Sequence, residues 1–298
     1  MLNVVICGLG AVGMTYACKF KHNEVCLKIL ADNERIEKYK KNKPCLNGIQ
    51  QDFEYITPDD KFNADLILIT TKAQGLDSAI KYIKNCIGED TRIISLINGI
   101  SSELQIQNSY PDTKVLKSYF IGHSAVREGN NITQDGVGTI VLEHDDFTEN
   151  ILKTLNIDYY VPEDINYSMW LKYTFNLFSN QVSAILNMTF GELKTNDKFL
   201  DFAKKVISEV KQIAQQEGIK NLEHLEKDAI NSLSKMCDEG KTSMLQDILA
   251  GRPTEIDIFA GEIIKLGKKY KIETPYNQVL YDLIKIKEKQ NEHSLHSC

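Results

Sequence analysis

The chain opens on the apolar run LNVVIC, which leads directly into Gly8-Leu9-Gly10-Ala11-Val12-Gly13 and then into a helical pattern. Few arrangements satisfy that order. The first glycine allows a tight turn out of a buried strand, and the second lets backbone approach a pyrophosphate. The third lets the following helix press against the strand. The helix N-terminus then offers oriented N–H donors to an anion. Taken alone, a GxGxxG segment is equally a glycine-rich turn. Here the strand before it and the helix after it favour a dinucleotide-binding loop.

Four further runs, EVCLKILA (24–31), ADLILITT (64–71), TRIISLI (91–97) and KVLKSYFIG (114–122), are nearly continuous in Val, Ile and Leu. Strands buried on both faces of a parallel sheet have this composition. Helical patterns lie between them at 11–22, 34–42, 74–86 and 101–109, and the alternation predicts βαβ units in an open, doubly wound sheet. GTIVLEH (138–144) and DYYV (158–161) read as further strands closing an edge. Beyond residue 163 the strand-like runs stop. Amphipathic helical patterns follow at 164–188, 197–217, 222–237, 255–271 and 276–290. In the fourth, Ile256, Phe259, Ile263, Ile264 and Leu266 share one stripe. The expected organisation is an α/β Rossmann dinucleotide-binding domain over 1–163 and an all-α domain over 164–298. Gly218 is a candidate helix C-cap and the tail NEHSLHSC a frayed end.

With 298 residues, 42% of them hydrophobic, and only 17 Gly and 6 Pro, the chain can bury a sizeable core and is neither disordered nor collagen-like. The net charge of −6 is spread through interspersed charges of both signs. No basic stripe points to nucleic acid or to an anionic membrane. No apolar stretch approaches the roughly 20 residues of a membrane span, and the N-terminus lacks the basic region of a signal peptide. Seven cysteines without a CxxC read as buried, reduced thiols, which places the chain in the cytoplasm. His123 and His144 stand at no metal-ligand spacing, so no metal is expected.

Candidate site residues cluster in four places. Asp32 follows the second run, where an acidic side chain accepts from the ribose hydroxyls of NAD and repels a 2′-phosphate. A helix N-cap explains it as well, and Arg35, Lys38 and Lys41 nearby suit a phosphate. Lys72 and the pair Asn98-Gly99 end the next two runs, at the carboxyl edge where open α/β sheets bind ligands. Lys172, Asn176 and Asn180 recur every fourth residue, each step turning only about 40° on a helix. They form a polar stripe on an otherwise apolar segment, which points to a ligand site or to a helix–helix hydrogen-bond network. Finally, SMLQDILAGRPTEID (243–257) gathers Ser243, Asp247, Arg252, Glu255 and Asp257 around a proline. Dipole stabilisation at a helix start accounts for the two last carboxylates.

Jointly these motifs resemble the ketopantoate reductase (2-dehydropantoate 2-reductase) family. The resemblance spans the chain through GLGAVG, TTKAQ (70–74), ING (97–99), WLK with Asn176 and Asn180, and the distinctive 243–257 segment. It implies a Rossmann domain followed by a helical domain like that of 6-phosphogluconate dehydrogenase, with NADPH and a small 2-keto acid bound between them, and a homodimer. By the same resemblance Lys172 is the catalytic acid. Asn176, Asn180 and Ser243 hold the substrate, and Glu255 lies near the lysine and the cofactor ribose. Asn98, Ala125 and Lys72 border the cofactor. Three positions depart from the family pattern. Asp32 stands where an arginine commonly grips the 2′-phosphate, which makes NAD the alternative cofactor. Phe190 and Gly240 stand where asparagines commonly occur, which leaves another branched 2-keto acid as the alternative substrate. A nicotinamide-binding sensor without catalysis is the third reading.

Overall fold

In the computed structural model, which describes residues 1–122, 124–136 and 138–295, the chain divides into two units, Met1–Ile165 and Asn166–Cys298. The first is built on a six-stranded sheet of β1 (Leu2–Cys7), β2 (Val25–Leu30), β3 (Glu54–Ile56), β4 (Ala64–Ile69), β5 (Ile87–Ser95) and β6 (Lys114–Leu116). The strand order is β3-β2-β1-β4-β5-β6 and every pairing is parallel. Val4 and Ile6 face one hydrophobic core and Val5 and Cys7 another, all four buried. That two-sided burial is why the runs are apolar without alternation. Helices α1 (Ala11–Phe20), α2 (Asn33–Lys41), α3 (Leu76–Tyr82) and α4 (Ser102–Ser109) connect the strands.

The order reverses direction between β1 and β4, the switch point at which ligands sit beyond the carboxyl ends of strands. Register makes this concrete. Cys7 pairs with both Leu30 and Ile69, and Ile69 pairs with Ser95. Gly8, Asp32, Lys72 and Asn98 therefore all follow strand ends along one edge.

Beyond β6 the chain forms β7 (Ser118–Ile121), β8 (Ser124–Glu128), β9 (Asn131–Asp135), β10 (Thr139–Leu142), α5 (Asp146–Thr154) and β11 (Tyr159–Tyr160). Strands β11, β10 and β7 make a small sheet. Hairpin β8–β9 joins the short strands Cys45–Leu46 and Ile49–Gln50 in another.

Several sequence expectations need correction. The run 114–122 is two strands in two sheets. The hydroxyl of Ser118 accepts from the Ser95 N–H (3.1 Å) and donates to the Ser95 carbonyl (3.0 Å), taking the place of the next strand residue and turning the chain. The edge strand β3 was not anticipated, nor was α5. The pattern over 74–86 is α3 flanked by 3₁₀ turns at Ala73–Gly75 and Ile83–Cys86. Cysteines are less buried than expected: Cys7 and Cys86 are buried, Cys18, Cys26 and Cys45 are half-buried, and Cys237 is exposed, all six as free thiols. His144 is exposed and pairs with Glu149 (2.6 Å) at the start of α5, a peripheral place, while His123 lies outside the described residues.

The second unit comprises α6 (Ile165–Leu186), α7 (Phe190–Lys194), α8 (Asp197–Gln216), α9 (Leu225–Ser234), α10 (Ser243–Leu249), α11 (Ala260–Tyr270) and α12 (Pro275–Leu295). Short helices α7 and α10 went unread in the sequence. The helix expected over 255–271 is broken: a 3₁₀ turn at Ile256–Ile258 precedes α11, although Ile256, Phe259, Ile263 and Leu266 are all buried as the stripe requires and Ile264 is half-buried. The helix expected over 222–237 is confined to Leu225–Ser234. Gly218 adopts φ +78° just past α8, and Ile219 N–H reaches back to the Ala214 carbonyl, closing the helix as anticipated. Buried Glu209 on α8 accepts from the backbone N–H groups of Tyr276 (2.7 Å) and Asn277 (3.0 Å) and from Asn277 Nδ2 (2.7 Å), satisfying the first turn of α12.

Candidate active site

The glycine loop between β1 and α1 is fixed by its own packing. Gly8 has φ +106°, a region L-residues avoid, and the Thr70 hydroxyl donates to its carbonyl (2.6 Å). A Cβ on Gly13 would lie 1.9 Å from the Gly8 carbonyl oxygen and 2.5 Å from Thr70 Oγ1, so α1 seats directly against the turn. Gly10 differs: its φ of −80° suits any residue, and a Cβ there meets nothing within 4 Å. Nothing in the fold requires glycine at that position. The open space is the kind a ligand needs for close approach to backbone.

Gly10 also N-caps α1 without a side-chain hydrogen bond, and the first turn holds no acidic residue. The first N–H groups of the helix are thus left for an anion. Leu9 is buried in the core, and Ala11 and Val12 are half-buried against it. The buried hydroxyl of Thr71 has no hydrogen-bond partner; it lies on the Gly75 side, while the Thr71 methyl and backbone N face Gly8. These features fit a dinucleotide.

Around this loop the same edge carries the other expected residues. Lys72 is exposed and starts the 3₁₀ turn after β4. Asn98 is half-buried, followed by Gly99 at φ +106°. Ala125 on β8 lies opposite Gln134, whose side chain accepts from Thr15 of α1 (2.7 Å), which draws β8 alongside the glycine loop's helix. Asp32 caps α2: Arg35 N–H donates to its Oδ1 (2.8 Å), while Tyr82 OH (3.4 Å) and the Arg35 guanidinium (3.5 Å) approach Oδ2. The cap reading is realised, and a carboxylate retains lone pairs for further donors.

In the second unit, Lys172 and Asn176 occupy the half-buried face of α6 and Asn180 is buried one turn on. The residues that orient this helix escaped the sequence reading. Tyr173, wholly buried beside Lys172, donates to the carbonyls of Phe259 (2.7 Å) and Ile258 (3.1 Å). It thereby ties the turn that follows Glu255 to α6. Burial pushes the Tyr173 phenol well above its ordinary range, so it stays a donor.

Thr242 caps α10 and donates to Ser183 of α6 (3.1 Å), about one helical turn beyond Asn180, and exposed Ser243 follows Thr242 in the chain. The rest of the 243–257 segment is held by Arg252–Asp247 (2.8 Å), by Thr254 on Glu288 (2.7 Å), and by Asp257 with Tyr281 and Lys285. Asp257 thus lies in the first turn of the 3₁₀ helix, the helix-start position expected of it, and also pairs with α12. Among the described residues, no group of three or more His, Cys, Asp or Glu is placed to hold a metal, and no helix is long and apolar enough to cross a membrane.

Residues 4–146 match the family model described as ketopantoate reductase PanE/ApbA, and residues 164–288 match its C-terminal counterpart. The chain belongs to the ketopantoate reductase family. A 2-dehydropantoate 2-reductase of Streptococcus pyogenes is 28% identical over 302 residues, covering 96% of this chain and 97% of that one. Among solved structures, a D-mandelate dehydrogenase with NADH and anilino(oxo)acetate has a TM-score of 0.85 at 23% identity, covering 98% and 100%. A dimeric ketopantoate reductase from Staphylococcus aureus has 0.79 at 22%, covering 97% and 100%. As a ketopantoate reductase family member, the chain is an oxidoreductase using a nicotinamide cofactor, and its glycine loop and helical unit are the family's two parts.

Proposed function

We propose that this chain reduces 2-dehydropantoate to pantoate, in the biosynthesis of pantothenate and coenzyme A. The observation that carries the proposal is the Lys172–Asn176–Asn180 face of α6, held in place by Tyr173, in a chain with an open Gly10 loop. We assign residues 1–163 to the cofactor and 164–298 to the substrate and to self-association. A reduced nicotinamide bound at the Gly8–Gly13 loop supplies the hydride. Lys172 holds a proton at Nζ for the oxygen that becomes an alkoxide, and its charge stabilises that oxygen. Asn176, Asn180 and Ser243 orient the acid. Glu255, placed by Tyr173, orients Lys172 and the ribose, and Lys72, Asn98 and Ala125 line the nicotinamide side.

Replacing Lys172 with alanine tests this reading. Loss of a general acid lowers kcat by about 10³-fold, while affinity for the reduced cofactor stays within about twofold. A variant that turns over normally, or that loses cofactor affinity alone, removes the lysine from the mechanism.

Family resemblance implies NADPH, but the carboxylate of Asp32 favours NADH. Its remaining lone pairs suit ribose hydroxyls, whereas a 2′-phosphate would meet a negative charge. Asp32→Ser is expected to raise NADPH use relative to NADH, and an unchanged ratio would remove Asp32 from that choice. A second substrate reading has its own observation. Phe190 stacks on Phe175 (centroids 6.2 Å apart), on the same face of α6 as Lys172 and Asn176. A Cβ on Gly240 would come within 3.0 Å of the Phe190 ring, so the two departures from the family form one apolar unit. This favours a keto acid with an apolar branch, and comparing kcat/KM for 2-dehydropantoate and for its analogue lacking the hydroxyl decides between them. Self-association is supported by exposed Val279, Leu283 and Ile286 along one face of α12, and the thiols by their number favour the cytoplasm.

A further inference from the structure

Glu103 is the most anomalous side chain of the first unit. It lies in the first turn of α4, where an exposed carboxylate would ordinarily serve the helix dipole, yet it is buried and its Oε1 has no hydrogen-bond partner. Its other oxygen accepts from the Ser102 hydroxyl (3.0 Å), and Ser102 Oγ accepts from the Ser95 hydroxyl (2.9 Å). Ser95 is the last residue of β5, and both its backbone groups are engaged by the Ser118 hydroxyl. All four residues are buried.

The chain Ser95–Ser102–Glu103 bridges the two ends of the segment 96–101, which carries the Asn98-Gly99 turn. Each hydroxyl has one proton to give, so the direction of the whole relay is set by its terminal group. An ionised Glu103 can only accept, whereas a protonated Glu103 can donate to Ser102 and reverse the relay.

We propose that Glu103 is a positioning residue whose protonation state sets the hold of the Ser95–Ser102 clasp on the Asn98 turn, and through it the affinity for the reduced nicotinamide cofactor. The inference rests on the assignment of Asn98 to the cofactor site. The neutral acid suits this dry pocket. The Ser102 hydroxyl and the Glu103 and Ser118 N–H groups hydrogen-bond the carboxyl but leave Oε1 without a donor, and relieving the charge that ionisation places there requires the clasp to open to water. Burial pushes the Glu103 carboxyl up to about 7, against the opposing pull of its hydrogen bonds and of the Lys117 ammonium between β6 and β7. Among the described residues, Lys117 is the charge that reaches it.

The test uses the full chain and titrates NADH and NADPH by nicotinamide fluorescence from about pH 6 to about pH 8, in the wild type, Glu103→Gln and Ser102→Ala. Wild-type affinity is expected to fall by about fivefold or more across that range and to stay level in Glu103→Gln. Ser102→Ala breaks the relay and is expected to lose the pH dependence while Glu103 still titrates. Hydrogen exchange of residues 96–101 without cofactor reads the clasp directly and is expected to quicken with pH, beyond the intrinsic rate, in the wild type alone. Equal pH profiles in wild type and Glu103→Gln would overturn the proposal. If neither cofactor binds at any pH, the proposed function fails instead, and the exchange data still decide the clasp.

Discussion

Gly10 and Gly13 belong to one loop but answer to different demands, and alanine at each separates them. At Gly13 the new methyl would lie 1.9 Å from a backbone oxygen and 2.5 Å from Thr70 Oγ1. Neither is the far end of a flexible chain, so the helix must move off the strand, and overpacking of this severity costs about 3 kcal/mol or more. At Gly10 the methyl enters open space, and φ −80° is ordinary for alanine. Losing glycine as the helix N-cap costs up to about 1 kcal/mol, and a less flexible unfolded chain returns about 0.4–1 kcal/mol. Stability should therefore change by less than about 0.5 kcal/mol. The same methyl stands where a pyrophosphate needs bare backbone. Loss of one charge-assisted hydrogen bond, about 1.5–3 kcal/mol, weakens the cofactor by about 10–100-fold. Urea unfolding and fluorescence titration of both variants read the two quantities. A Gly10→Ala protein that binds cofactor like wild type, or that unfolds as readily as Gly13→Ala, refutes the reasoning.

Other perturbations follow from the same contacts. Glu209→Ala leaves three donors at the head of α12 unpaired and should cost about 3 kcal/mol in urea unfolding; a loss below 1 kcal/mol would show that water replaces the carboxylate. Tyr173→Phe leaves the Ile258 carbonyl without its phenol donor, while the Phe259 carbonyl keeps the Ile263 N–H; the loss is about 1–2 kcal/mol, and kcat should fall more than KM changes because Glu255 is displaced. Glu103 has a folded value of about 7 against an ordinary value of 4.5, so folding favours its protonated form. Its contribution is most favourable below the ordinary value and is lost as pH rises toward 7, a change of about 3 kcal/mol. Glu103→Gln should accordingly gain stability over wild type at pH 8 and little at pH 4.5, and parallel pH–stability curves would exclude this.

The parallel strands were legible because burial on both faces writes itself as unbroken Val, Ile and Leu. Strand β3 was not, since its three residues, Glu54-Tyr55-Ile56, lie at the sheet edge and carry no such run. Composition also hid the division of 114–122, because Ser118 turns the chain with a side-chain hydroxyl rather than with glycine or proline. Spacing exposed the Lys172 stripe, while the groups that orient it stayed hidden. Tyr173 reaches carbonyls more than eighty residues away, and Thr242 reaches Ser183 across 59 residues. Glu103 was hidden for a different reason, as a carboxylate in a first helical turn ordinarily signals solvent.

The central claim is that these two units reduce a 2-keto acid with a hydride from a nicotinamide. Its most direct test mixes the purified chain with 2-dehydropantoate and either NADPH or NADH, and follows the absorbance of the reduced nicotinamide. Rapid, substrate-dependent oxidation that disappears in Lys172→Ala is expected. Absence of oxidation with either cofactor, in protein shown to bind one of them, would contradict the proposed reaction.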